Sequence, residues 1–138
     1  MGMKDEIKNA VNWNAPTVDA AESMRAAIRK MAAHHASALA VTSDGKVVGV
    51  LTDMDLMMAV EGNSDLDATR ATGCMTACQL LQGQAVKSPC AQLDSSQTVE
   101  NALGVMNKAG VHHLIISDHE KDRIGVVSIV DLLKQAIS

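Results

Sequence analysis

The chain has 138 residues, 47% of them apolar, and a formal net charge of −4 at pH 7. Its apolar content is enough for a domain-sized core, but no Lys/Arg run exceeds two, as at Arg29-Lys30, which disfavours a nucleic-acid surface. No segment approaches a membrane span, the start lacks a charged-then-apolar leader pattern, and three cysteines argue against a disulfide scaffold, so a cytoplasmic protein with free thiols is expected.

The core must be built from aliphatic residues and methionine, because there is no Phe or Tyr, one Trp and nine Met. Such a core is adaptable rather than rigidly aromatic. Residues 1–14 read as an arm, either a short helix carrying Trp13 or loose chain. A short strand is expected at Thr17-Val18. Ser23 then caps a helix whose apolar positions Met24, Ala27, Ile28 and Met31 follow the 3.6-residue period. His35 ends it where glycine would fit better, so strain or a different turn is expected there. A strand over 38–41, the turn signal Asp44-Gly45 and a strand over 47–51 form a hairpin. A helix begins near Thr52.

Residues 61–88 read as a linker, loop-like over 61–72 and with room for a short helix over 74–86. The elements then repeat. A strand at Gln92-Leu93 precedes Thr98, which caps a helix with Val99, Ala102, Leu103 and Met106 on one face and Gly110 as terminator. A strand over 113–116, a polar loop over 118–122 holding His119, and an apolar strand ending at Ser128 follow. Gly49-Val50-Leu51-Thr52-Asp53-Met54-Asp55 thus returns as Gly125-Val126-Val127-Ser128-Ile129-Val130-Asp131, 125 − 49 = 76 residues later. One supersecondary unit is used twice, over 15–60 and 89–138, because two units do not make a solenoid. The expected fold class is α/β (α+β), with two βαββα repeats.

Thr52-x-x-Asp55 and Ser128-x-x-Asp131 are capping boxes of the [ST]-x-x-[DE] type. The same geometry suits a nucleotide: free N–H groups at a helix start receive a phosphate, and an Asp one turn in receives a ribose diol. One carboxylate oxygen can cap while the other meets a sugar.

The doubled unit with its Gly-x-x-[ST]-x-x-Asp ending resembles a tandem pair of cystathionine-β-synthase (CBS) domains. The resemblance implies repeats packed through their sheets about a pseudo-twofold axis, with inter-repeat clefts for AMP, ADP, ATP or S-adenosylmethionine. It also implies a homodimer. It places Asp55 and Asp131 at the ribose, Thr52 and Ser128 beside the phosphate, and Asp53, Met54, Ile129 and Val130 in the same turns. Thr17, Ala36 and Ala38 would line the base pocket in the first copy, and Ala91, Val111, His112 and His113 in the second. Many CBS domains carry Arg where this chain has Met54 and Val130; losing that cation favours a nucleoside or monophosphate over a triphosphate.

The implied function is a regulatory module, not an enzyme, that needs no cofactor, takes the adenosine ligand as effector and signals to a partner protein. Two alternatives stand beside it: a dimerisation or protein-interaction module with empty clefts, and a thiol-based redox or metal sensor using Cys74, Cys78 and Cys90. The spacing of these cysteines matches no common zinc or iron–sulfur pattern. His34-His35 suit the negative end of a helix, and Arg25 and Arg29, four apart, either face solvent or reach a phosphate.

Overall fold

The computed structural model describes residues 2–77, 79–80, 91–118 and 120–138. Cys78, Cys90 and His119 lie outside the described residues. The chain divides into two compact units, one made of residues 15–78 and the other of residues 1–14 with 79–138.

In the first unit β1 (Thr17–Asp19), α1 (Met24–His34), β2 (Ala38–Ser43), β3 (Lys46–Thr52) and α2 (Asp53–Glu61) follow in order, completed by α3 (Ala71–Cys74) and β4 (Thr76–Ala77). Its sheet runs β1-β2-β3-β4, with β1 parallel to β2 and the rest antiparallel. The second unit holds β5 (Gln79–Leu80), β6 (Ala91–Asp94), α4 (Val99–Ala109), β7 (His113–Asp118), β8 (Arg123–Ser128) and α5 (Ile129–Ile137). Its sheet runs β5-β6-β7-β8, and only the β7–β8 pair is antiparallel. Two βαββα repeats are therefore present. The short helix expected over 74–86 does not form where the chain is described: residues 76–77 and 79–80 are strand, each recruited by a sheet edge with unpaired backbone groups.

The periodic residues pack as their spacing requires. Met24, Ala27 and Met31 of α1 join Val18, Leu39, Val41 and Leu51 in one core, and Val99, Ala102 and Met106 of α4 join Leu93, Leu114, Ile116 and Val127 in the other. Ser23 and Thr98 accept the N–H of Ala26 and Asn101 and so cap their helices. His35 ends α1 at φ 49°, ψ 37°, the same left-handed turn that Gly110 makes at φ 67°, ψ 33°. The turn is thus common to both repeats and only the residue differs. A side chain in that region costs about 1 kcal/mol or more. We expect His35→Gly to stabilise the protein by about 1 kcal/mol in urea unfolding, and Gly110→Ala to destabilise it by a similar amount.

The N-terminal arm is neither a helix through Trp13 nor loose. A three-residue 3-10 turn, Ile7–Asn9, is followed by a backbone bridge from Asn12 to Val126 of β8. Ile7 is fully buried and Val11 nearly so, both in the core of the second repeat. A segment before the second repeat does the same for the first. Glu6 bridges Thr98 as Arg70 bridges Ser23; Asn12 bridges Val126 as Thr76 pairs with Val50. The N–H of Ile7 donates to the Gln97 carbonyl at 2.8 Å, and that of Ala71 to the Glu22 carbonyl at 2.8 Å. The offset is constant, 70 − 6 = 76 − 12 = 64 residues. Each repeat is thus completed by the segment that precedes the other one.

Candidate functional site

The strand register assembles the candidate residues within each unit. Ala38 at the start of β2 pairs with Thr52 at the end of β3, and His113 of β7 pairs with Ser128 of β8. The loop before each strand closes the arrangement: the N–H of Asp53 donates to the Ser37 carbonyl at 3.1 Å, and that of Ile129 to the His112 carbonyl at 2.9 Å. Residues 36–38 therefore sit beside 52–55, and residues 111–113 beside 128–131. These two carbonyl contacts had no signature in the sequence, since any residue can supply a backbone carbonyl.

Both capping boxes form. The Thr52 N–H and hydroxyl donate to Asp55 Oδ2 at 2.8 and 3.1 Å, and the Asp55 N–H donates to Thr52 Oγ1 at 3.3 Å. The Ser128 N–H and hydroxyl donate to Asp131 Oδ2 at 3.0 and 2.8 Å, and the Asp131 N–H donates to Ser128 Oγ at 3.2 Å. Every one of these carboxylate contacts uses Oδ2. Among the described residues Oδ1 of either Asp has no hydrogen bond, and both side chains are half-buried.

The next residues separate the two turns. Asp53 is exposed, and its Oδ1 accepts the Met54 N–H at 2.8 Å. The first repeat thus fills its own helix start with a negative charge. The second repeat has half-buried Ile129 there, and among the described residues no side chain accepts the Val130 N–H as Asp53 accepts that of Met54. An anion is favoured at a helix start by its free N–H groups and dipole, so the second turn is the better phosphate acceptor. Met54 and Val130 both project outward, 58% and 54% exposed.

The remaining candidates divide. Ala36 and Val111 are half-buried at the ends of their helices, bonded back to the Met31 and Met106 carbonyls. His112 is exposed and His113 half-buried. Thr17 is exposed at the head of β1, and its carbonyl accepts from Lys30 Nζ at 2.8 Å. Ala91 pairs with Gln79 between β6 and β5. Arg25 is paired within its own unit: its Nε and Nη2 donate to the Asp67 carboxylate at 2.6 and 3.3 Å. That hydrogen-bonded pair raises the arginine pKa and lowers that of the aspartate. Of the three cysteines, Cys74 is described, a free half-buried thiol packed against the first core. No cluster of three or more His, Cys, Asp or Glu suited to a metal occurs among the described residues.

The CBS domain family model matches residues 6–62 and 83–138, more than half of the chain. The chain belongs to the CBS domain family. Among solved structures it is similar to the CBS-domain protein NE2398, at 27% identity and TM-score 0.76, over 97% of this chain and 98% of that one. An uncharacterized conserved protein from Pyrococcus horikoshii shares the fold at 24% identity and TM-score 0.77, over 97% and 93% of the two chains. The CBS domain of a bacterial CNNM/CorC family Mg2+ transporter, in complex with ATP, shares it at 13% identity and TM-score 0.74, over 96% and 87%. No curated protein matches the chain. CBS domains are regulatory, ligand-binding modules, and the two capping boxes end the third strand of each CBS repeat. No described helix is long and apolar enough to cross a membrane.

Proposed function

We propose that this CBS pair is a cytoplasmic regulatory module that binds an adenosine-type ligand (AMP, ADP, ATP or S-adenosylmethionine) at Asp55 and Asp131 and signals to a partner protein as a homodimer. The supporting observation is the uncommitted Oδ1 of each capping aspartate beside a helix start: a carboxylate oxygen for a ribose diol next to N–H groups for a phosphate. Ala36 and Ala38, or Val111 to His113, supply a small-residue or imidazole wall for the base. The ATP seen on the transporter's CBS domain supports a nucleotide as ligand class. With Met54 and Val130 where an arginine would neutralise further phosphates, a nucleoside or monophosphate is favoured.

The ligand acts by its differential affinity for two states of the protein. A thermal-unfolding panel of AMP, ADP, ATP and S-adenosylmethionine tests the reading. At 100 times Kd the correct ligand adds about 2.7 kcal/mol of stability, and a flat response to all four overturns it. The exposed apolar residues of α2 and α5, among them Met57, Met58 and Leu133, support the homodimer. They also support the second reading, an interaction module whose ligand sites stay empty in use.

A further inference from the structure

The second repeat carries a charged pocket at the end of its sheet away from the capping aspartate. β6 ends at Asp94, β7 ends at Asp118 and β8 begins at Arg123, whereas the proposed nucleotide turn lies where β7 begins and β8 ends. Strands of 6 residues, about 17 Å long, separate the two ends. The pocket holds about 480 Å³ and is walled by three stretches of one unit: Glu6 and Lys8 of the N-terminal segment, the turn over 94–96, and the hairpin loop closed by Asp118 and Arg123. The repeat does not require it. At the offset 94 − 19 = 75, Asp19-Ala20-Ala21 and Ser43 stand where Asp94-Ser95-Ser96 and Asp118 do, and at 70 − 6 = 64, Arg70 and Thr72 stand where Glu6 and Lys8 do.

The polar groups of the pocket divide into a committed set and an open set. The Asp118 carboxylate accepts from the N–H of Glu120 and Lys121 and from Arg123 Nε. Asp94 accepts the N–H and the hydroxyl of Ser96, and Glu6 pairs with Lys8 at 3.4 Å. The Arg123 guanidinium is fixed from two directions, by Asp118 Oδ2 at 3.1 Å and by the Trp13 ring 4.0 Å from it. Its two Nη groups have no partner among the described residues, and neither do the Lys121 ammonium, the Glu120 carboxylate and the Ser95 hydroxyl. The open groups therefore carry both signs.

We propose that this pocket binds a small zwitterion of the amino-acid class, its carboxylate on the Arg123 Nη groups and Lys121 and its ammonium on Glu120. An anion alone would meet the carboxylates of Glu120 and Glu6, and a cation alone would meet Arg123 and Lys121; a ligand carrying both charges satisfies each end. The fork of a guanidinium already held in place suits a carboxylate, because little side-chain freedom is lost on binding. The volume lies toward the lower end of the range of about 300–1,000 Å³ usual for small-molecule sites. Because Glu6 and Lys8 form one wall, the ligand bridges the N-terminal segment to the hairpin loop and holds that segment against β8. The pocket shares no residue with the proposed nucleotide turns, so the two readings stand or fall separately.

Titration of the full chain with the non-aromatic amino acids, followed by calorimetry and by Trp13 emission, tests the assignment. At least one amino acid should bind saturably and change the emission, since the carboxylate engages the guanidinium stacked on that ring. No saturable response to any of them overturns the proposal. The N-acetyl derivative of the best binder lacks the ammonium and its amide lacks the carboxylate; each should bind roughly tenfold more weakly. Undiminished binding of the first would mark an oxyanion site and of the second a cation site, and either overturns the zwitterion. Glu120→Ala and Lys121→Ala should each weaken binding by about tenfold. Both side chains are exposed, so unfolding midpoints without ligand should stay unchanged and confirm that each variant folds. Affinity indifferent to both changes places the ligand elsewhere and overturns the site, as does displacement of the amino acid by AMP.

Discussion

Gly125→Ala is expected to dislodge the N-terminal segment from the second repeat. A Cβ at Gly125 would lie 2.8 Å from the Asn12 carbonyl oxygen and 2.9 Å from Trp13 Cε3, and closer still to Val11 Cγ1. Two of these neighbours are anchored. The Asn12 carbonyl accepts the Val126 N–H at 3.2 Å, and Val11 is part of the core. The strain therefore cannot be absorbed by a flexible side-chain tip. Overpacking of this kind costs about 1–3 kcal/mol. If the segment leaves instead, Ile7 and Val11 leave the core with it, and the loss of buried aliphatic groups costs about as much again.

Trp13 reports which outcome occurs. It is the only Trp, its indole Nε1–H donates to the Lys8 carbonyl at 3.0 Å, and the Arg123 guanidinium lies 4.0 Å above its ring. Gly125→Ala should lower the urea midpoint and shift Trp13 emission to the red well before global unfolding. An unchanged midpoint and emission would show that the segment does not lie across β8.

That same glycine shows what could and could not be read from the sequence. Gly125 was visible as part of a seven-residue repeat, and the repeat, the capping boxes, the periodic helix faces and the Asp44-Gly45 turn are all local patterns that constrain a few consecutive residues. Each was therefore legible. Asp44 and Gly45 turn the first hairpin with positive φ, 52° and 77°. In the second hairpin Asp118 accepts from the N–H of Glu120 and Lys121 and from Arg123 Nε. Burial alone would raise the pKa of Asp118, but these donors outweigh it and hold the carboxyl below its usual range.

What the glycine is for was not legible. Residues 5–12 and 69–76 match at an offset of 64 while the repeats match at 75 and 76, and their docking rests on backbone bonds plus few buried residues, Ile7 and Val11 in one and Ala71 in the other. Backbone pairing leaves no residue signature, so these segments read as an arm and a linker. The residues proposed to bind the ligand fall between the two cases. Thr52, Asp55, Ser128 and Asp131 announce themselves, whereas the carbonyls of Ser37 and His112 that lock the neighbouring loop in place do not.

The second large effect concerns the two aspartates, which look interchangeable in sequence and differ in surroundings. Asp55→Ala and Asp131→Ala each remove the carboxylate half of a capping box, so each should cost about 0.5–2 kcal/mol of stability. That damage is the same on both sides and serves as an internal control. Ligand affinity should separate them. A hydrogen bond to a charged group is worth about 1.5–3 kcal/mol, so Asp131→Ala should weaken AMP binding by roughly 10- to 150-fold. Asp55→Ala should change the measured AMP affinity far less, because Asp53 already places a carboxylate on the Met54 N–H where a phosphate would sit.

Two further measurements tie the difference to charge. Adenosine lacks the phosphate and should bind the two sites more evenly than AMP does. Asp53→Ile copies the residue at the equivalent position, Ile129, and should create a second, tighter AMP site visible as a rise in calorimetric stoichiometry. Equal losses for the two Asp→Ala variants, with no response to Asp53→Ile, would show that the charge at the helix start does not select the occupied site. Losses in neither would remove both aspartates from the binding site, leaving the capping boxes as structure alone.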